Sequence, residues 1–257
     1  SVVASMAANQ LHDCIPLFHG HFAEGEPYDE SLYANAVCRG LGAELHEVVP
    51  EAEEFVELLP RLIHALDEPT AGPGLFPQYI VSRMAAKQVK VVLGGQGGDE
   101  VFGGYARYLI GYLEQALKGS IFESQEEGKH VVTLSSIIPN LPLLQRYQPL
   151  MQHFWKDGLF DEMDARYFRL IDRSPLLETL LTADALERFD REQVFTDFQK
   201  IFNHPDTLSY VNKMTHFDQK TLLPALLQVE DRVSMSVSLE SRVPLLDTRI
   251  VDLVTSM

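Results

Sequence analysis

Four glycines in five positions, placed directly behind an apolar strand, constrain this chain more than any other feature. Lys90-Val91-Val92-Leu93 runs straight into Gly94-Gly95-Gln96-Gly97-Gly98-Asp99-Glu100 and on to Val101-Phe102-Gly103-Gly104-Tyr105. Glycine permits turns that other residues resist, and its missing Cβ lets a backbone approach a ligand closely. A helix starting near Asp99 would aim its free N–H groups at the same place, which makes an anion site. Asp99 and Glu100 would repel a bare phosphate. Carboxylates fit there when Mg2+ lies between them and phosphate oxygens. The same residues also suit a tight turn with Asp99 as a plain N-cap, and both readings stand at this point.

Upstream, helix and strand patterns alternate. Val3, Met6, Ala7 and Leu11 have the spacing of one helix face over 1–12, and Cys14-Ile15-Pro16-Leu17-Phe18 reads as a buried strand. Asp29 is placed to cap a helix running to about Leu41, with Gly40 and Gly42 at its end. Glu44 to Val49 gives a second strand. Over 51–66, Phe55, Leu58, Leu59, Leu62, Ile63 and Leu66 share one helix face. A loop from Glu68 to Pro77 and a helix near 78–88 lead to the strand at 90–93.

Such alternation predicts an α/β fold with an open parallel sheet covered on both faces, its ligands beyond the carboxyl ends of the strands. After about residue 105 strand signals largely disappear. The sequence thus divides into an α/β nucleotide-binding part, 1–105, and a mostly helical part, 106–257, with a loop around 119–142.

Charge narrows the partners. A formal net charge of −16 lacks the basic face that nucleic-acid binding requires, while backbone amides and Mg2+ can still neutralise a phosphate locally. No stretch approaches the apolar length of a transmembrane helix, and the start does not resemble a signal peptide. Cys14 and Cys38 fit no metal or disulfide spacing and read as small buried hydrophobes. The expected setting is a reducing cytoplasm.

A second segment carries charge beside an apolar stripe. Glu230-Asp231-Arg232 follows Leu222, Leu223, Leu226 and Leu227 in one helical pattern and leads to Leu239-Glu240-Ser241-Arg242-Val243-Pro244-Leu245-Leu246-Asp247. By spacing alone these charges suit a solvated face, or a structural ion pair of Glu240 with Arg242.

Together, Val91–Tyr105 and Glu230-Asp231-Arg232 with Leu239–Asp247 resemble two motifs of the asparagine synthetase family, and Asp67-Glu68-Pro69 matches in the expected order. The similarity covers most of the chain and is weakest from about 115 to 205. It implies a sheet of the ATP-pyrophosphatase type and a two-step reaction. A carboxylate, L-aspartate first among the candidates, attacks the α-phosphorus of Mg-ATP and releases pyrophosphate; ammonia then attacks the acyl-adenylate and releases AMP.

By this resemblance Gly94, Gly95, Gly97 and Gly98 contact the nucleotide, Asp99 binds magnesium, and Gln96 and Glu100 belong to the catalytic group. His19-Gly20-His21 falls where relatives contact adenine; a metal reading of the two histidines is disfavoured. Gln96 stands where well-studied relatives carry glutamate. Glutamine cannot act as a general base but can hydrogen-bond an acceptor. That opens a runner-up, a relative acting on another carboxylate or closing a β-lactam; a non-catalytic nucleotide-binding module is a reading from another class.

Ser1-Val2-Val3-Ala4-Ser5 resembles the residues just after the family's pyrophosphate loop. The expectation is a fragment of one synthetase domain that does not turn over alone. The loop, the ammonia-producing glutaminase domain and a catalytic lysine all lie outside it, and a homodimer is compatible with the family.

Overall fold

The computed structural model describes residues 2–11, 14–23, 25, 29–69, 72–123 and 134–256. In chain order the first elements are α1 (Val2–Leu11), β1 (Pro16–Gly20), α2 (Ser31–Leu41), β2 (Glu44–Val48), α3 (Ala52–Leu66), α4 (Leu75–Ala85) and β3 (Val91–Leu93). There follow α5 (Gly98–Phe102), α6 (Ala106–Phe122), α7 (Leu134–Ile137), α8 (Gln148–Trp155), α9 (Met163–Ile171), α10 (Leu177–Leu180), α11 (Ala183–Glu187) and α12 (Arg191–Phe202). The last are α13 (Tyr210–Met235), β4 (Glu240–Arg242) and α14 (Thr248–Thr255). Ser1, His12, Met257 and the middle of the expected 119–142 loop lie outside the described residues. No described helix is long and apolar enough to cross a membrane.

The chain forms two compact units. The first joins Ser1–Gly97 to Leu223–Ser256 and the second takes Gly98–Leu222. Residues 223–256, read from the sequence with the helical part, therefore belong with the α/β unit.

All four strands lie in the first unit, as two parallel pairs, β1 with β2 and β3 with β4. The single open sheet expected from the sequence is not seen among the described residues. β4 was missed because Glu240-Ser241-Arg242 has no apolar or β-branched character. Backbone pairing holds it instead: Glu240 N–H donates to Lys90 O at 2.9 Å, and Gly94 N–H donates to Arg242 O at 2.8 Å.

The core of this unit is Leu62 and Leu66 of α3, Leu75, Phe76, Tyr79 and Ile80 of α4, and Val233 of α13. Ile63, counted in the α3 stripe, is exposed, so the buried face is narrower than the sequence pattern. Helix α4 begins three residues before the expected start because Leu75 and Phe76 are buried in that core. Pro77 is tolerated there, since first-turn N–H groups have no intrahelical acceptors. The N-cap of α2 is Glu30, not Asp29, and makes no side-chain cap bond; Asp29, one residue earlier, accepts the Ser31 N–H on Oδ1 at 2.8 Å, and Gly42 closes the helix in the left-handed region, φ 61°. The buried reading of the cysteines fails for Cys14, which is exposed; Cys38 is half-buried and donates its thiol to Ala43 O at 2.8 Å.

The second unit is helical and centred on aromatic rings, among them Tyr108, Phe154, Tyr167, Phe198 and Phe202. Within it the Arg166 guanidinium grips the Glu114 carboxylate bidentately, both bonds at 2.6 Å, with both side chains buried. Asp218 accepts from Arg107, Tyr108 and Tyr167.

Candidate functional site

In the first unit, β3 hands over to the glycine turn, and the glycines there have different tasks. Gly94 packs against protein: a Cβ would lie 3.4 Å from Glu230 Oε1 and 3.8 Å from Ser241 Oγ. Gly97 is buried, has φ +86°, and a Cβ on it would run into Leu246. Gly95 is the opposite case. It is exposed, and nothing described lies within 4 Å of where its Cβ would be. Of these three, Gly95 is where a ligand has room to meet backbone. Gln96 between them is half-buried.

Glu230 was not among the expected site residues, yet α13 brings it beside Gly94, with the Ser241 hydroxyl donating to its Oε1. Its neighbours on α13 face elsewhere, as positions two apart on a helix must. Gln228 Nε2 donates to Leu66 O at 3.2 Å and to Glu68 Oε1 at 3.0 Å, while Arg232 pairs with Asp67 at 3.1 Å. The C-terminal half of α13 thus links the Asp67-Glu68-Pro69 motif on one side to the glycine turn on the other. The signal that could have found Glu230 was its place in a motif, read together with the apolar stripe of the same helix. The Glu240–Arg242 ion pair is present at 2.7 Å and exposed.

In the second unit, half-buried Gly98 opens α5, which is only five residues long. Such a helix gathers little dipole, so it adds less to anion binding than a long helix would. Asp99 is exposed, and its carboxylate makes no hydrogen bond or ion pair with the described residues. Its side chain lies against Gly104, where any Cβ would strike Asp99 Oδ1. Glu100, expected in the catalytic group, is 1% exposed. Its carboxylate accepts from the Tyr105 hydroxyl, and its carbonyl accepts from Gln219 Nε2 at 3.2 Å. Burial, then the Glu100 carboxylate, push the Tyr105 phenol up, so it stays protonated.

The chain matches the family described as asparagine synthase over residues 1–257, and it belongs to that family. It is 28% identical over 254 residues to asparagine synthetase (glutamine-hydrolysing) 1 of Bacillus subtilis, covering 97% of this chain and 38% of that protein. It is 30% identical over 245 residues to a provisionally named glutamine-hydrolysing asparagine synthetase of Mycobacterium bovis, covering 88% of this chain and 33% of that one. With asparagine synthetase B of Escherichia coli it shares 35% identity over 94 residues, 35% of this chain and 17% of that protein. The chain therefore spans less than two fifths of the length of these curated relatives.

Proposed function

We propose that this chain is part of an ATP-dependent amide-forming ligase that adenylates a carboxylate and passes the acyl group to ammonia. L-aspartate is the first candidate substrate, asparagine, pyrophosphate and AMP the products, and a glutaminase domain of the whole protein the ammonia source. The observation that carries the reading is the exposed Gly95, open where a Cβ would stand, in a chain of a shown family.

Each residue has a part on its own ground. Gly95 leaves its backbone approachable for the nucleotide, and Gly94 is supported from behind by Glu230 and Ser241. Gly97 keeps the turn in shape. Asp99 fits a Mg2+ ion because its carboxylate makes no hydrogen bond or ion pair among the described residues, and the ion would supply charge neutralisation for the phosphates of ATP. Gln96 has no acid–base chemistry, so it holds the acceptor by hydrogen bonds. Glu100 orients Tyr105 from within the helical unit and is a positioning residue rather than one that touches substrate. Positioning and electrostatics are what adenylyl transfer asks of a protein.

Gln96 favours a second reading at the same site, a family member acting on a different carboxylate. One experiment separates the outcomes: pyrophosphate and AMP release by the intact protein with Mg-ATP and ammonia, with and without L-aspartate. Aspartate-dependent release of both supports an asparagine synthetase, and ATP binding without a response to aspartate moves the search to other acceptors. Asp99→Asn should abolish release while leaving the fold intact; near-normal release in that variant removes the magnesium assignment.

A further inference from the structure

At the carboxyl end of β1 the two histidines, disfavoured as a metal pair on sequence alone and placed by resemblance where relatives contact adenine, are joined by a third donor, Asp29. His19 and His21 are two residues apart along an extended segment, so they point to the same side. Gly20 between them faces the other way, where a Cβ would stand 2.7 Å from Val81 Cγ2 of α4. The helix thus covers one face and leaves both imidazoles on the other. The rings stack with centroids 5.9 Å apart and planes 21° from parallel. Asp29, two residues before α2, joins them. One donor atom from each of the three residues lies within 4.8 Å of the other two.

Two further observations point to a ligand. His19 Nε2 and His21 Nδ1 are buried and make no hydrogen bond to the described residues, and a buried polar atom is costly without a partner. Asp29 is held from outside, since its Oδ1 accepts the Ser31 backbone N–H at 2.8 Å. That leaves its other oxygen for a ligand, the second-sphere arrangement that orients a metal-binding carboxylate.

We propose that His19, His21 and Asp29 form a binding site for a first-row divalent transition ion of the zinc class. Two imidazoles and one carboxylate are the donor set of such ions, whereas Mg2+ and Ca2+ select oxygen donors. Donors around tetrahedral zinc, at bonds of about 2.0–2.1 Å, sit about 3.3 Å apart. The donor atoms already lie within 4.8 Å of one another, about 1.5 Å beyond that spacing at most. The ion would tie the end of β1 to the start of α2, and its open position would be filled by water.

The test is a titration of the chelator-treated protein with Co2+, followed by displacement with Zn2+. One equivalent of Co2+ should give the visible absorption of a low-coordinate site, Zn2+ should bleach it, and excess Mg2+ should not. His19→Ala and His21→Ala should each weaken binding by more than the roughly 10–100-fold that loss of an outer-shell partner costs, and Asp29→Asn should weaken it less than either. The control is His216→Ala, since His204 and His216 form another ring pair, 5.1 Å apart, in the helical unit; it should leave the affinity unchanged. Wild-type affinity in both His19 and His21 variants overturns the proposal, as does loss of binding in the control. Should the histidine variants fail to fold, crystals of the wild-type chain soaked in Zn2+ decide it. An anomalous peak among the three residues supports the site, and a peak elsewhere, or none, overturns it.

Discussion

Gly97 and Gly95 stand two residues apart in one turn, and the structure predicts opposite consequences for giving each a methyl group. At Gly97 two costs combine. A φ of +86° is unfavourable for an L-residue by about 1–2 kcal/mol. The new Cβ would also be driven into the Leu246 side chain, and overpacking costs about 1–3 kcal/mol. Gly97→Ala should therefore lose about 2–5 kcal/mol, a large part of a typical domain's stability. Trimming the neighbour separates the two costs. In Gly97→Ala/Leu246→Ala the collision is gone and the φ cost remains, so a double-mutant cycle should show a favourable coupling of about 1–3 kcal/mol. At Gly95 neither cost applies, because no positive φ is recorded there and the Cβ direction is open. Gly95→Ala should leave stability within about 0.5 kcal/mol and cut nucleotide affinity instead. Urea denaturation of wild type, Gly97→Ala, Leu246→Ala, their double variant and Gly95→Ala gives the stabilities, and equilibrium binding of Mg-ATP gives the second comparison. Additive Gly97 and Leu246 effects, or a Gly95→Ala protein that binds ATP as well as wild type, would refute the division of labour drawn here.

Breaking the buried Arg166–Glu114 pair by Glu114→Ala should destabilise the helical unit by about 3–5 kcal/mol, because it strands a buried guanidinium. Glu114→Ala/Arg166→Met should recover part of that loss in the same urea assay. Tyr108 and Tyr167 are pushed up, by burial first and then by their charged or ionisable neighbours, Tyr167 and Asp218 for the former and Asp218 for the latter. The unfolded chain sheds those phenolic protons near pH 10 while the native state keeps them, so their contribution is complete below about pH 10 and is lost as pH rises beyond it. Thermal melting against pH should show a steep fall above about pH 10 that Tyr108→Phe makes shallower; a flat profile would contradict the burial of these phenols. Glu240→Ala removes only an exposed ion pair and should cost less than about 1 kcal/mol by denaturation. Lost pyrophosphate release in a stable Glu240→Ala protein would instead place the residue in the site.

The parts of the fold legible in the sequence are those whose physics is local. The α3 stripe, the glycine end of α2 at Gly42 and the β3-to-glycine junction each follow from residues within a few turns of one another. What stayed hidden depends on distant partners. β4 is a strand only because Lys90 and Gly94 offer backbone bonds to it, and nothing in Glu240-Ser241-Arg242 announces that. The aromatic core of the helical unit gathers Tyr108 of α6, Tyr167 of α9 and Phe198 of α12, helices far apart in the sequence. The start of α4 moved because Leu75 and Phe76 had a core to enter, a fact that no loop-forming run of Pro and Gly can reveal.

The candidate site divides along the same line. The glycine cluster was visible as a cluster, but its members look alike in sequence, and sequence alone assigned all four of Gly94, Gly95, Gly97 and Gly98 to the nucleotide. The structure gives Gly97 a different reason to exist. Its φ and the Leu246 side chain already penalise any other residue, so glycine is favoured there whether or not a nucleotide binds. Gly95 has no such internal reason, being exposed, open and without recorded strain. A residue whose identity the fold does not require is the better witness to a ligand, so Gly95→Ala tests the nucleotide reading of the motif more directly than any change at Gly97.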